Sequence, residues 1–167
     1  MRILLACEGQ SEVYLLKNLI RRGYLRFDYP LLLEEPTKMR QLTEIAPIIN
    51  ALPIDERIVI YRVGDTLKDE LDLSRFKMRE KHIEIHKICT KPELEILVII
   101  NENLYDKYLK CSKKMKPKTF INRYIKDYEP KLYFESHDML NAISKYRKIK
   151  RHRKDEKYLK DFLWRKI

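Results

Sequence analysis

Two acidic residues of the chain stand where apolar segments end. Glu8 and Gly9 follow the apolar residues 2–7, and Gly64 and Asp65 follow residues 57–63. Carboxylates are hard oxygen ligands of the kind that Mg²⁺ and Mn²⁺ prefer. A glycine beside such an acid lets a phosphate group approach the backbone, and a helix N-terminus that follows attracts anions. The pattern therefore predicts a Mg²⁺ or Mn²⁺ site, where the ion polarises a phosphoryl oxygen and helps to generate a nucleophilic water.

The elements that would position these acids follow from the spacing of apolar residues. Short apolar or alternating segments predict strands at residues 2–7, 29–33, 57–63 and 82–88, although Pro30 weakens the second as a central strand. Helical spacing predicts a helix from Ser11 that Gly23 closes, helices over residues 38–51 and 93–108, and mostly helix beyond, with breaks near Pro117 and Pro130. Strands that alternate with helices predict an α/β fold with a mostly parallel four-stranded sheet flanked by helices. The site is expected at the carboxyl ends of its strands.

The basic charge of the chain lies almost entirely in its last third. The 167 residues include 36 Lys and Arg against 25 Asp and Glu; residues 1–106 hold 16 basic and 18 acidic residues, whereas residues 107–167 hold 20 and 7. Interleaved tyrosines and the dense segment 145–154 favour contact with DNA or RNA, because each neutralised phosphate releases counterions. The alternatives are solvated helical faces and, less favoured, an anionic membrane surface. We predict an α/β domain over residues 1–100 and a basic helical extension over residues 101–167, packed on or next to it.

Several classes of protein are not expected from the composition. No apolar run approaches the roughly 20 residues that span a bilayer, and the apolar opening is too short for a signal peptide. Three widely spaced cysteines without a Cys-x-x-Cys pair argue against a disulfide scaffold or a cysteine-rich zinc site. No phosphate-binding Gly-rich loop with the Gly-Lys-Ser/Thr ending is present, so the chain alone is not expected to hydrolyse ATP. We expect a reduced, cytoplasmic protein with no membrane partner.

Two segments resemble motifs of a known family. Residues 3–12, Ile-Leu-Leu-Ala-Cys-Glu-Gly-Gln-Ser-Glu, are similar to the first motif of Toprim domains, a hydrophobic strand that ends in Glu-Gly and leads through Ser/Thr-Glu/Asp into an apolar helix. Residues 90–97, Thr-Lys-Pro-Glu-Leu-Glu-Ile-Leu, resemble the Pro-x-x-Glu helix start of small RloB-like and related bacterial Toprim proteins. The resemblance covers roughly residues 2–100.

The resemblance implies Mg²⁺-dependent chemistry on phosphodiester bonds of DNA or RNA, as in Toprim and OLD-type nucleases. For small RloB-like members it also implies a setting in bacterial defence against phage or mobile DNA. Some Toprim nucleases work with a separate ATPase, so such a partner is a further implication of the resemblance.

The chain departs from the family pattern at the end of its third strand. Toprim proteins usually carry Asp-x-Asp there, whereas this chain has Val63-Gly64-Asp65. We therefore predict Glu8 and Asp65 as metal ligands, with Asp69 as a further ligand from the loop, and Glu8, Asp65 and Glu93 as catalytic residues. Asp72 and Glu95 are other candidates for the missing ligand. The predicted nucleic-acid contacts are Arg62, Lys91, Lys148, Lys150, Arg151 and Arg153.

Two other functions fit the same residues. The missing acid favours a catalytically degenerate Toprim scaffold that only binds nucleic acid, and the basic helices suit a partner subunit that docks an acidic protein. Glu8 could instead cap a helix or pair with an arginine, and Asp65 could be a turn residue. The pattern leaves the oligomeric state open, as it does the choice between DNA and RNA.

Overall fold

A four-stranded parallel sheet forms the centre of the fold. This computed structural model describes residues 1–65, 70–90, 93–149 and 157–163. Within them the strands are β1 (Arg2–Cys7), β2 (Thr37–Lys38), β3 (Ile58–Gly64) and β4 (Ile83–Cys89), in the order β2-β1-β3-β4. All three strand pairs are parallel. The predicted α/β fold with a parallel four-stranded sheet flanked by helices is confirmed.

The central strands are apolar on both faces because helices and loops cover the sheet on each side. Leu5 and Val63 lie in one buried cluster with side chains of the later helices. Leu4 and Ile60 lie in a second cluster on the opposite face. Cys7, at the end of β1, is fully buried in the first cluster. This double burial explains why β1 and β3 have near-continuous apolar sequences rather than alternating ones.

The α-helices of the described residues surround this sheet and continue to its C-terminal side. They are α1 (Gln10–Arg21), α2 (Ala46–Ala51), α3 (Glu93–Asn101), α4 (Tyr105–Cys111), α5 (Pro117–Tyr124), α6 (Pro130–Ser136) and α7 (Leu140–Ile149). The predicted breaks near Pro117 and Pro130 are the first residues of α5 and α6, a position where the missing proline N–H is not needed.

Three predicted elements differ from the structure. Residues 29–33 are not a strand: Tyr29–Leu31 form a short 3₁₀ helix, and the strand beside β1 is Thr37–Lys38. The helix predicted over residues 38–51 is a 3₁₀ turn at Leu42–Ile45 followed by α2. The helix predicted over residues 93–108 ends after Asn101 and restarts at Tyr105.

The helices after residue 100 share the core of the sheet. Helix α6 packs on α1, and α5 and α7 both pack on α3. Phe120, Phe134 and Ile143 are fully buried in the same cluster as Leu97. The predicted basic extension thus contributes buried side chains to the core, as well as basic residues to the surface.

Candidate functional site

Glu8 and Asp65 meet at the carboxyl edge of the sheet, directly after β1 and β3. These two strands are neighbours, with Cys7 paired to Val63. The Glu8 backbone N–H donates to the Val63 carbonyl oxygen over 2.8 Å. The Asp65 backbone N–H donates to Glu8 Oε2 over 3.0 Å. The two acids predicted as metal ligands are therefore held side by side by backbone pairing.

Two glycines leave the space that the acidic side chains occupy. A Cβ atom at Gly64 would overlap the Glu8 carboxylate, and it would lie 2.6 Å from Glu8 Cβ. A Cβ atom at Gly9 would lie 2.6 Å from Glu12 Oε2. Gly64 therefore cannot be replaced without moving the Glu8 side chain from its base, whereas a larger residue at Gly9 would displace only the end of the flexible Glu12 side chain.

Glu12 is the third carboxylate at this edge. It lies in the first turn of α1 and is only 8% exposed. The Thr90 hydroxyl, just beyond β4, donates to Glu12 Oε1 over 3.1 Å, and the Thr90 backbone N–H donates to the Gly64 carbonyl oxygen over 2.8 Å. Burial raises the pKa of Glu12 above its ordinary value, and the nearby charges of Glu8 and Asp65 raise it further.

Glu12 is not among the site residues predicted from the sequence, because pairing at the surface is the more common role of such an acid. One signal was present in the sequence: Glu12 stands four residues after Glu8, with Gly9 between them. Its hydrogen-bond partner Thr90 is 78 residues away in the chain, and the order of the strands brings the two together.

Arg62 has a structural contact in the interior. Its side chain is 4% exposed, and its guanidinium donates to the Met39 carbonyl oxygen. This bond ties β3 to the residue that follows β2. Contact of Arg62 with nucleic acid stays a prediction, but the structure gives this side chain another partner, and it is left out of the surface proposed below.

The other predicted site residues are divided between described and undescribed parts of the chain. Lys148 is exposed in the last turn of α7. Glu93 begins α3, but its side chain lies outside what the structure describes. Also outside the described residues are Asp69, Lys91, Lys150, Arg151 and Arg153.

The two alternative ligands have partners of their own. Asp72 accepts hydrogen bonds from the backbone N–H and the hydroxyl of Ser74, both over 2.8 Å. These bonds lower the pKa of Asp72, as in a turn-forming aspartate. Glu95, half-buried on α3, lies close enough to Tyr128 for its charge to add to the rise in the pKa of that phenol, which burial chiefly causes.

The donor set at the edge fits a hard divalent cation in its chemistry. Three carboxylates lie near one another, and the pKa of Glu12 is raised in part by the negative charge of the other two; a cation would relieve this repulsion. Across residues 1–65, 70–90, 93–149 and 157–163, however, no group of three or more His, Cys, Asp and Glu residues is arranged to hold a metal ion. A complete site would need a ligand from another part of the chain, a rearrangement or the substrate.

Comparison with protein-family models, with curated proteins and with solved structures gives no match for this chain in any of the three. Among the described residues, no helix has both the length and the apolar character needed to cross a membrane.

Proposed function

We propose that this protein is a Mg²⁺-dependent nuclease of the Toprim type, which cleaves phosphodiester bonds in DNA or RNA at the carboxyl edge of its sheet. The observation that carries the proposal is the hydrogen bond from the Asp65 backbone N–H to Glu8 Oε2, because it brings together acids that are 57 residues apart in the chain. The parallel sheet supports the proposal, since ligands of such sheets bind beyond the carboxyl ends of the strands.

Glu8 and Asp65 are the residues that would hold the ion, and Mn²⁺ could take its place. Bound there, Mg²⁺ would polarise a phosphoryl oxygen and lower the pKa of a coordinated water. Glu12 has a different part in the proposal. Its Oε1 atom accepts from Thr90, and its Oε2 atom faces Gly9. The raised pKa of Glu12 suits a group that takes up and releases a proton.

The basic residues of the C-terminal third would hold the nucleic acid for this reaction. Lys148 is exposed on α7, and the chain continues directly into the predicted contacts Lys150, Arg151 and Arg153. The resemblance to small RloB-like proteins supports a role in bacterial defence against phage or mobile elements. A separate ATPase partner belongs to the same proposal.

The test is a cleavage assay with labelled DNA and RNA across a titration of Mg²⁺ and Mn²⁺. We expect cleavage that requires the metal and that falls by at least about 100-fold in Glu8→Gln and in Asp65→Asn, because each substitution removes a charged ligand. Glu80→Gln is the matched control, since Glu80 is an exposed acid in the 3₁₀ segment Ser74–His82. Undiminished cleavage in both site variants would contradict the assignment of the site.

A catalytically degenerate scaffold that binds nucleic acid without cleaving it is the second candidate. The observation in its favour is that Val63, at the place of the first acid in Asp-x-Asp, is fully buried in the core. Binding that is unaffected by Mg²⁺ and by Glu8→Gln, with no cleavage of either substrate, would support this candidate. A partner subunit would instead bind neither DNA nor RNA at low salt.

A further inference from the structure

A polar cavity lies over the face of the sheet that carries Tyr61 of β3 and Ile88 of β4. It has a volume of about 390 Å³, and its lining includes Tyr61 of β3 and Lys157 and Asp161 of the C-terminal segment. The segment is fixed there by the backbone, because the Cys89 N–H donates to the Lys157 carbonyl oxygen over 3.0 Å. None of Glu8, Glu12 and Asp65 lines this cavity. The cavity is thus distinct from the site proposed above.

Three cations from distant parts of the chain line this cavity: Arg26, Arg147 and Lys157. The Arg26 Nε–H donates to the Leu163 carbonyl oxygen over 2.8 Å, which orients the guanidinium and leaves its terminal nitrogens for other acceptors. The Arg147 guanidinium lies 5.6 Å from the centre of the Tyr158 ring. Guanidinium groups of this kind match the geometry of phosphate oxygens.

Lys157 is oriented by a short chain of hydrogen bonds. Its ammonium lies 2.8 Å from His86 Nδ1, and His86 Nε2 lies 2.7 Å from Glu84 Oε1. The carboxylate can only accept, and the ammonium can only donate. The imidazole therefore carries its proton on Nε2 and accepts from Lys157 at Nδ1. Lys157 is positioned by one of its three N–H groups and has two more for a ligand.

The ring of Tyr61 at the cavity is already in contact with other aromatic side chains. Tyr61 has Phe27 stacked at 5.9 Å and His86 stacked at 5.2 Å, and the Phe162 ring meets it edge-on at 4.7 Å. With these neighbours in place, a nucleobase has no free face of Tyr61 on which to stack. Recognition would instead come from the three cations, and the carboxylate of Asp161 is an acceptor suited to a sugar hydroxyl.

We propose that this cavity binds the phosphate group of a sugar phosphate monoester of nucleotide size, at a site separate from the carboxylate edge. Among the described residues that line it, Arg26, Arg147 and Lys157 are basic and Asp161 is acidic, a lining that favours a dianionic phosphate. Its volume lies within the range of small-molecule sites. The phosphate comes either from a free mononucleotide or from the 5′-phosphorylated end of a strand.

The proposal is tested by isothermal titration calorimetry of the full chain with 5′-AMP at low salt, with adenosine as the ligand that lacks the phosphate. We expect binding of 5′-AMP and none of adenosine. Lys157→Gln and Arg147→Gln should each weaken binding about tenfold, because each removes a charged hydrogen bond. Lys118→Gln, at an exposed lysine of α5, is the matched control and should bind as the unmodified chain does.

Glu8→Gln separates this proposal from the nuclease proposal. Unchanged 5′-AMP binding in Glu8→Gln supports a separate cavity whatever the outcome of the cleavage assay. Loss of binding in that variant, no binding of 5′-AMP to the unmodified chain, or equal binding by Lys157→Gln would overturn the proposal. Lys157 is exposed, so its variant is expected to fold even where Arg147→Gln does not.

A pair of oligonucleotides, with and without a 5′-phosphate, identifies the source of the phosphate. If the chain prefers the phosphorylated strand and Lys157→Gln abolishes this preference, the cavity is a pocket for strand ends. Binding of 5′-AMP without such a preference would make it a site for a free nucleotide. Both outcomes support the phosphate site.

Discussion

Glu12 is buried beside two other carboxylates, so its charged form is disfavoured in the folded protein. Its pKa is raised above the ordinary value of 4.5, mainly by burial. The folded chain thus binds this proton more tightly than the unfolded chain does. As the pH rises from about 4.5 through the raised folded value, the unfolded state loses the proton first, and the folded state loses relative stability. Glu12→Gln has no proton to lose and can still accept from Thr90.

We therefore expect Glu12→Gln to gain in free energy of unfolding, relative to the unmodified chain, as the pH rises from 4 to 7. Urea unfolding at several pH values, with EDTA present so that no cation contributes, measures this difference. The exposed Glu80→Gln is the control for loss of a carboxylate and should show a smaller pH dependence. A difference between Glu12→Gln and the unmodified chain that is constant over this range would contradict the assigned burial and charge repulsion.

The residues of the candidate site differ in how far the sequence predicts them. Glu8 and Asp65 follow apolar strands, and the rule that parallel strands end at one edge was sufficient to place them together. The position of Glu12 could not be predicted in this way, because its partner Thr90 is brought to the first turn of α1 only by the tertiary fold. The cavity cations Arg26, Arg147 and Lys157 have no pattern in common, and only the tertiary fold brings them to one place.

Helices α1 and α3 end with the same backbone capping motif, which has a glycine after α1 and an asparagine after α3. After α1, Gly23 has φ +69°, with its N–H bonded to the Ile20 carbonyl oxygen over 2.9 Å and the next N–H bonded to Leu19 over 2.9 Å. After α3, Asn103 has φ +57° and makes the equivalent bonds. This is the Schellman arrangement, in which a left-handed residue closes the helix. It explains why the helix predicted over residues 93–108 is interrupted.

We expect Gly23→Ala to lower the free energy of unfolding by about 1 kcal/mol, because alanine disfavours the left-handed region. A Cβ atom at Gly23 would meet nothing within 4 Å, so the loss comes from the backbone alone. For a chain of this size the loss corresponds to a fall in Tm of about 2–4 °C. Asn103→Gly is the reciprocal variant and should be neutral or slightly stabilising. Equal stability of Gly23→Ala and the unmodified chain, measured by urea and thermal unfolding, would contradict the capping role.

The strands were more predictable than the connections between them. Residues 2–7 and 57–63 predict β1 and β3 within one residue at each end, because burial on both faces requires a continuous apolar sequence. The prediction of a strand over the apolar residues 29–33 is wrong. Leu33 still donates its N–H to the Ile3 carbonyl oxygen over 2.8 Å, but the preceding residues turn in a 3₁₀ helix that contains Pro30. This segment, which contains a proline, therefore pairs with β1 only through an isolated bridge.

At the scale of the molecule, the C-terminal third combines a structural and an electrostatic part. Its helices bury Phe120, Phe134 and Ile143 against the helices of the sheet, while most of the lysines and arginines that the structure describes there are exposed. The acidic edge and the basic residues therefore belong to one packed unit. In the proposed function, the same helices that complete the core also provide the charge that attracts a nucleic acid.

The last prediction concerns where that charge acts. Replacing Lys148, Lys150, Arg151 and Arg153 together by glutamine should weaken nucleic-acid binding and flatten its dependence on salt. Each lost phosphate contact lowers the slope of log K against log salt by about 0.9 for duplex DNA and by about 0.7 for single strands. Lys113, Lys114, Lys116 and Lys118 are exposed in the described part of the chain, and their replacement by glutamine removes the same charge elsewhere. A larger loss of slope in the first set, measured by fluorescence anisotropy from 50 to 200 mM salt, would locate the contact at residues 148–153. Equal losses would mean that the binding depends on total charge, and an unchanged slope would exclude this segment as the contact surface.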